Sequence, residues 1–202
     1  HYTIAWPLEE HASGRPLRQS PLYARLARAG ACFGEKLGWE RPNWFAPAGV
    51  EPRDVYTFAR GNWFSRVAEE HRATRERVAL FDQTSFAKFE LQGPDAAQAL
   101  DWICAGDVAR PPGALTYTQL LNDRGGIECD LTVSRLADDH FYLVTGTGFA
   151  THDLQCIRQQ LRDDWDVRLT DVTGQAAVLT LMGPRAREVL AAVSDDDVSG
   201  QA

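Results

Sequence analysis

Between Tyr117 and Thr132 the chain gathers the side chains best suited to chemistry: a phenol at Tyr117, an amide at Asn122, carboxylates at Glu128 and Asp130, and a hydroxyl at Thr132. Residues two apart on a strand share a face, so Glu128, Asp130 and Thr132 project to one side while Ile127, Cys129, Leu131 and Val133 project to the other. Any half-exposed antiparallel strand turns an apolar face to the core and a polar row to water. The same row would do chemistry if it lined a cavity, where a carboxylate can pair with an amine and a tyrosine can stack on a flat ring. The pattern leaves both readings open.

Other candidates are weaker. Gly146-Thr147-Gly148 follows a strand pattern and precedes a helical one, as a nucleotide-binding loop would. However, Thr151 stands where G-x-G-x-x-G needs its third glycine, and the preceding strands read as an antiparallel hairpin where a dinucleotide fold needs a parallel βαβ unit. Asp166, at the distance of a ribose ligand, is one acid among many. A tight turn that lets a ligand approach the backbone fits better. The histidines are scattered, and only His152 adjoins a carboxylate, Asp153; at a helix start the pair reads as capping and dipole complementarity. Cys32, Cys104, Cys129 and Cys156 lie far apart, with no C-x-x-C pair and no His at zinc-finger spacing, so they are expected to be reduced thiols and no metal is expected.

The elements that would position these residues follow from periodicity. Leu22, Leu26 and Ala29 give a helical pattern over Pro21 to Phe33, with Ser20 as N-cap and Pro21 at the first helical position. Gly49 to Gly61 reads as a linker or irregular loop. Trp63, Val67, Glu70, Thr74 and Val78 share one face of a surface helix, and Arg60, Arg66, Arg72, Arg75 and Arg77 read as a solvated helical face. Phe86 to Leu91 alternates as a half-buried strand, with Phe86, Lys88 and Glu90 on one side and Ala87, Phe89 and Leu91 on the other. Asp95 to Ala105 is an apolar-faced helix through Ala96, Ala99, Leu100 and Ile103. Leu115 to Leu121 and Gly126 to Leu136 form a hairpin across Asn122-Asp123-Arg124-Gly125-Gly126. His140 to Thr145, Val167 to Leu169 and Gln175 to Leu181 add strands, and Thr151 to Leu161 a helix. Lys88 to Pro94 and Val178 to Pro184 echo one another, each a strand, a Gly-Pro turn and a helix, and each following an Asp-x-Thr triplet (Asp82-Gln83-Thr84 and Asp171-Val172-Thr173). Two related α+β halves are therefore expected, with strand order open.

Composition bounds the function. The 202 residues, 44% of them hydrophobic, can bury a core, while 21 Lys+Arg against 28 Asp+Glu gives a net charge of −7 with no basic block. Nucleic acid is not an expected partner. No run approaches the roughly 20 apolar residues of a membrane span, and no signal-like leader is visible. The Arg- and Ala-rich composition points to the cytoplasm. A chain that begins with His1 inside strand-like sequence is expected to have lost its natural N-terminus.

Three groups of segments together resemble one family. Gly125-Gly126-Ile127-Glu128-Cys129-Asp130-Leu131-Thr132-Val133 is similar to the G-G-I-x-x-D-L-T-V stretch of glycine-cleavage T-protein relatives, and Phe81 to Phe89 followed by Gly93-Pro94 is similar to the same family upstream. His1 to Pro7, Gly14-Arg15-Pro16, Ser20 to Tyr23 and Glu40 to Phe45 resemble the linker domain of dimethylglycine and sarcosine dehydrogenases. The resemblance implies an α+β fold of antiparallel sheets with helices, incomplete and T-protein-like, with residues 1–48 ending a flavoenzyme linker domain and residues 49–202 opening an aminomethyltransferase-like folate-binding domain. It implies FAD, held in an N-terminal domain this chain lacks, oxidising an N-methyl amine to an iminium, and transfer of the carbon to tetrahydrofolate. Its partners would be the methylated amine, folate and the rest of its own polypeptide. By the same resemblance Asp130 is the catalytic acid facing the folate amine or iminium, Thr132 bonds the pterin region, Tyr117 packs in that pocket, and Gly146 allows close backbone approach. The family's later Y-T-G-E-x-G-[WY]-E segment would fall beyond Ala202, so the chain alone is expected to be inactive. A stand-alone aminomethyltransferase and a non-catalytic folate-binding or scaffold module are the alternatives.

Overall fold

The structure is a computed structural model that describes residues 4, 6 and 9–199, so most of the His1 to Pro7 motif lies outside the described residues. The chain divides into two compact units, one of residues 1–84 with 177–202 and the other of residues 85–176.

The first unit opens with a short helix α1 (Tyr23–Arg28) and an antiparallel hairpin of β1 (Ala31–Lys36) and β2 (Trp39–Phe45). The helix expected to run to Phe33 stops five residues early, because Gly30 adopts φ +90° and its carbonyl accepts the Ala46 N–H at 2.8 Å, turning the chain into β1. Alanine at Gly30 would place its Cβ 2.6 Å from the Ala46 carbonyl oxygen, so the turn is closed to other side chains. Ser20 is not the N-cap: Leu22 holds that position, while the Ser20 hydroxyl accepts the Leu22 N–H and donates to Asp82. Residues 46–62 form no regular element, as the sequence suggests. They lead into α2 (Phe64–Glu76), a helix with no fully buried residue, and then β3 (Ala79–Asp82).

The second unit contains β4 (Ala87–Gln92), α3 (Ala96–Ile103), β5 (Leu115–Leu121), β6 (Ile127–Ala137), β7 (His140–Thr145), α4 (Ala150–Gln160) and β8 (Arg168–Asp171). Its five-stranded sheet has the order β5-β6-β7-β4-β8, with every pairing antiparallel. The core is built from one sheet face (Phe89, Leu91, Leu120, Leu131, Val133, Phe141, Leu143) against Leu100 of α3 and Ile157 of α4. Phe89 and Phe141 are fully buried, and each contributes about 2–3 kcal/mol of transfer free energy. The alternation read in β4 holds for its apolar side only. Lys88, on the expected exposed side, is fully buried, because β4 is central in the sheet and the returning chain covers it; the Lys88 ammonium donates to the Ala176 carbonyl at 2.9 Å.

The chain then returns to the first unit with β9 (Leu179–Met182) and α5 (Ala186–Ala191). β9 begins later than the sequence pattern suggests, and it pairs antiparallel with β3. The internal echo is present in the backbone. Gly93 and Gly183 adopt φ +137° and +119° at the two Gly-Pro turns. Asp82 accepts the Thr84 N–H at 3.0 Å, and Asp171 accepts the Thr173 N–H at 2.9 Å. Next to them, Gln83 N–H donates to the Val178 carbonyl and Val172 N–H to the Lys88 carbonyl. The two copies exchange strands: the strand before Asp82 pairs with the one that ends at Gly183, and the strand before Asp171 pairs with the one that ends at Gly93.

Burial sets the reactivity of the thiols. It pushes the Cys32 thiol up to about 11, helped by the Asp54 carboxylate, and the Cys104 thiol up to about 12, helped by Asp101; it also raises Cys129. An acid whose pKa is raised in the fold stays neutral at pH 8, and its effect is to lower stability as the pH climbs from the ordinary thiol value towards the raised one. Ellman's reagent at pH 8 is therefore expected to modify the half-buried Cys156 first and the other three only on unfolding. Rapid reaction of several thiols in the native chain would contradict this burial pattern.

Candidate functional site

The polar row of β6 is held by its apolar opposite. Cys129, Leu131 and Val133 are buried against the core, which turns Asp130 and Thr132 to the other face. Glu128 and Asp130 are exposed and Thr132 half-buried; Ile127, at the strand end, is exposed against expectation because the register shifts beside Leu121. The hairpin turn is fixed by Asn122, whose side-chain oxygen accepts the N–H groups of Arg124 at 3.0 Å and Gly126 at 2.9 Å.

Across the hairpin Tyr117 pairs with Thr132 and Gln119 with Asp130. Tyr117 reaches diagonally to donate its phenolic proton to Asp130 Oδ2 at 2.8 Å. That bond, with Asp130's negative charge, holds the Tyr117 phenol above its ordinary range. Three of the four residues singled out in the sequence therefore share one face, with Asp130 Oδ1 outside the tyrosine bond. The face is open, Tyr117 being 63% exposed. Gly146 lies one residue beyond Thr145, which pairs with Leu131. Its φ of −62° is ordinary, and a Cβ there would meet only Phe149 at 3.5 Å. The backbone does not require glycine here. The following Thr147–Phe149 turn leads from an antiparallel strand into α4.

Sequence reasoning missed a second layer. Asp153 is not a helix cap: α4 has Phe149 as N-cap with no side-chain cap bond, and Asp153 is fully buried. Its carboxylate accepts the Thr145 hydroxyl and stands 2.9 Å from His152 Nδ1. The imidazole can donate from Nδ1 to this carboxylate, and its Nε2 lies 4.0 Å from Glu128 Oε2. Asn122 Nδ2 holds the other Glu128 oxygen at 2.7 Å. Thr145 also lies 3.3 Å from the Asp130 carbonyl, so the layer runs from the imidazole to the backbone of Asp130. The signal was an acid on an apolar stripe, since Asp153 precedes Ile157 by four residues on the core side of α4.

Comparison with known proteins gives the family. Residues 22–202 match the family model described as the GCVT N-terminal domain. The chain is 42% identical over its whole length to 4-methylaminobutanoate oxidase (formaldehyde-forming) of Paenarthrobacter nicotinovorans, of which it covers 24%. It is 35% identical, again over its whole length, to the mitochondrial sarcosine dehydrogenase of Homo sapiens, of which it covers 26%. It thus spans about a quarter of the length of these relatives. Among solved structures it is similar to the glycine cleavage system aminomethyltransferase T of Bartonella henselae, with a TM-score of 0.71 and 30% identity over 87% of this chain and 43% of that one.

Proposed function

Because the chain belongs to the GCVT N-terminal domain family, we propose that it is the folate-binding portion of a flavin-dependent N-methyl amine dehydrogenase or oxidase acting on dimethylglycine, sarcosine or a relative. On this reading residues 1–48 end a linker domain, residues 49–202 open the aminomethyltransferase-like domain, and FAD belongs to the rest of the polypeptide. The observation that carries it is the Tyr117–Asp130 pair with Thr132 on the same face.

The residues fit a reduced pterin by their donor set. Asp130 keeps an oxygen to accept an N–H, the Thr132 hydroxyl can donate or accept, the Tyr117 ring offers a flat apolar surface, and Gly146 leaves space for a close approach. Tetrahydrofolate, when bound, would supply N5 and N10 as the nucleophiles for the one-carbon unit. Asp130 would offset the positive charge of the carbon being transferred, and would pass the proton lost by the folate amine to the demethylated amine as it leaves. Tyr117 orients that carboxylate by its 2.8 Å bond.

The test is tetrahydrofolate binding by calorimetry, on this chain and on a longer polypeptide carrying the downstream segment. Saturable binding that Asp130→Ala removes is the expected result, at least in the longer polypeptide. Binding to neither would overturn the reading and favour a scaffold module, which the 63% exposure of Tyr117 would then explain.

A further inference from the structure

The first unit contains a cavity of about 610 Å³ that the folate reading does not use. Four aromatic side chains line it, Trp44, Tyr56, Phe58 and Trp63, together with two carboxylates, Glu10 and Asp54. Among the described residues that line it there is no Lys, Arg or His. The walls are fixed by hydrogen bonds. Tyr56 Oη accepts the Glu10 N–H at 3.0 Å, and Asp54 Oδ1 accepts the indole N–H of the buried Trp44 at 2.7 Å. Asn62 staples the irregular segment, accepting the Val55 N–H at 3.0 Å and donating to the Arg53 carbonyl at 2.9 Å. The Trp6 ring lies 5.5 Å from that of Phe58.

We propose that this cavity binds an N-methylated ammonium group carried by a molecule without a carboxylate. Aromatic rings attract a cation through their quadrupoles, most strongly where the cation is weakly hydrated. A fully methylated ammonium has no N–H to satisfy, so it loses little by leaving water for a wall of rings. The two carboxylates add a negative field that no base among the described lining residues cancels. A primary ammonium would need acceptors for its three N–H groups, and both carboxylates already accept protein N–H groups, Asp54 from Trp44 and Glu10 from Glu35 at 3.1 Å. A zwitterion such as an N-methylated amino acid would bring its own carboxylate against Glu10 and Asp54. The volume exceeds one methylated head group, leaving room for a short chain. The chain already places one cation on a ring beside this region, Arg60 lying 4.5 Å over Phe64. The proposal is independent of the folate reading.

Tryptophan fluorescence of the full chain, titrated at constant ionic strength with tetramethylammonium and with choline, tests it. Both cations are expected to give saturable changes, with half-saturation about 10-fold or more below that of neopentyl alcohol, a neutral molecule of similar shape. Dimethylglycine should bind at least as weakly as the alcohol. Phe58→Leu, at a residue 76% exposed, and Tyr56→Leu should each weaken choline binding about 5-fold or more while thermal unfolding is unchanged for the first. Equal responses to cation and alcohol would reduce the cavity to an apolar patch and overturn the proposal. So would the absence of saturation, or binding indifferent to both substitutions.

Discussion

Alanine in place of Asp130, in the complete polypeptide, is expected to lower methylenetetrahydrofolate formation by about 10²- to 10⁴-fold, the range of a positioned acid–base group, while flavin reduction by the amine is unchanged. The split follows from where the residue stands. Asp130 is on an exposed strand face with its side chain bonded to Tyr117 alone, so removing it opens no core cavity. Asp130→Asn separates charge from geometry: the amide oxygen can still accept the Tyr117 proton, but it can neither take up a proton nor balance a cation. If charge is what matters, Asn is nearly as damaging as Ala. If both variants transfer the carbon at the normal rate, Asp130 is an ordinary surface acid and the proposed site is wrong.

Gly93→Ala is expected to be the most damaging small substitution for stability, costing more than about 3 kcal/mol. A Cβ at Gly93 would lie 2.1 Å from the Asp166 carbonyl oxygen and 2.9 Å from Val167 Cα, at φ +137°, outside the region side chains tolerate. These are backbone atoms, and they cannot move cheaply, since Asp95 accepts the Asp166 N–H at 2.8 Å. Gly183→Ala should act similarly in the other unit, with a Cβ 2.5 Å from the Arg77 carbonyl oxygen. Gly113→Ala is the control: φ is +90° but nothing lies within 4 Å, so the cost should stay near 1 kcal/mol. Urea midpoints of the three variants decide it. Equal losses at Gly93 and Gly113 would show that the close approach is not what the turn depends on. In a domain stabilised by about 5–15 kcal/mol, the expected loss at Gly93 is a large share.

Much of the second unit was legible because its elements are periodic and one-sided. β6 reads cleanly since Cys129, Leu131 and Val133 all enter the core, and Asn122 with its glycines announces the turn. His140–Thr145 falls where the sequence puts it. The β1–β2 hairpin was not legible. A register shift between Cys32 and Phe33 breaks the alternation, Pro42 sits within β2, and the turn uses Leu37 at φ +49°, which no propensity favours. The helical pattern of α1 could then run on unopposed past Gly30. At the site, strand spacing put Glu128, Asp130 and Thr132 on one face and the resemblance added Tyr117, but Asp153 was read as a cap, because burial of an acid depends on partners elsewhere, here Thr145. The Gly-Pro echo was visible as a repeat, yet nothing in a repeat says that its copies pair crosswise.

That crosswise pairing has a consequence for how the chain is made. Gln83 and Thr180, hydrogen-bonded beside the β3–β9 ladder, are 97 residues apart, and the whole second unit is synthesised between them. At bacterial or eukaryotic elongation rates of about 5–20 residues per second, β3 waits roughly 5–20 seconds for its partner. During that time Leu80 and Phe81, still 61% and 38% exposed even in the finished fold, present an unpaired strand edge to the crowded space around the ribosome. The contiguous unit can fold as it emerges, whereas the discontinuous one cannot. Nascent chains paused between these two points are therefore where holding chaperones should be found.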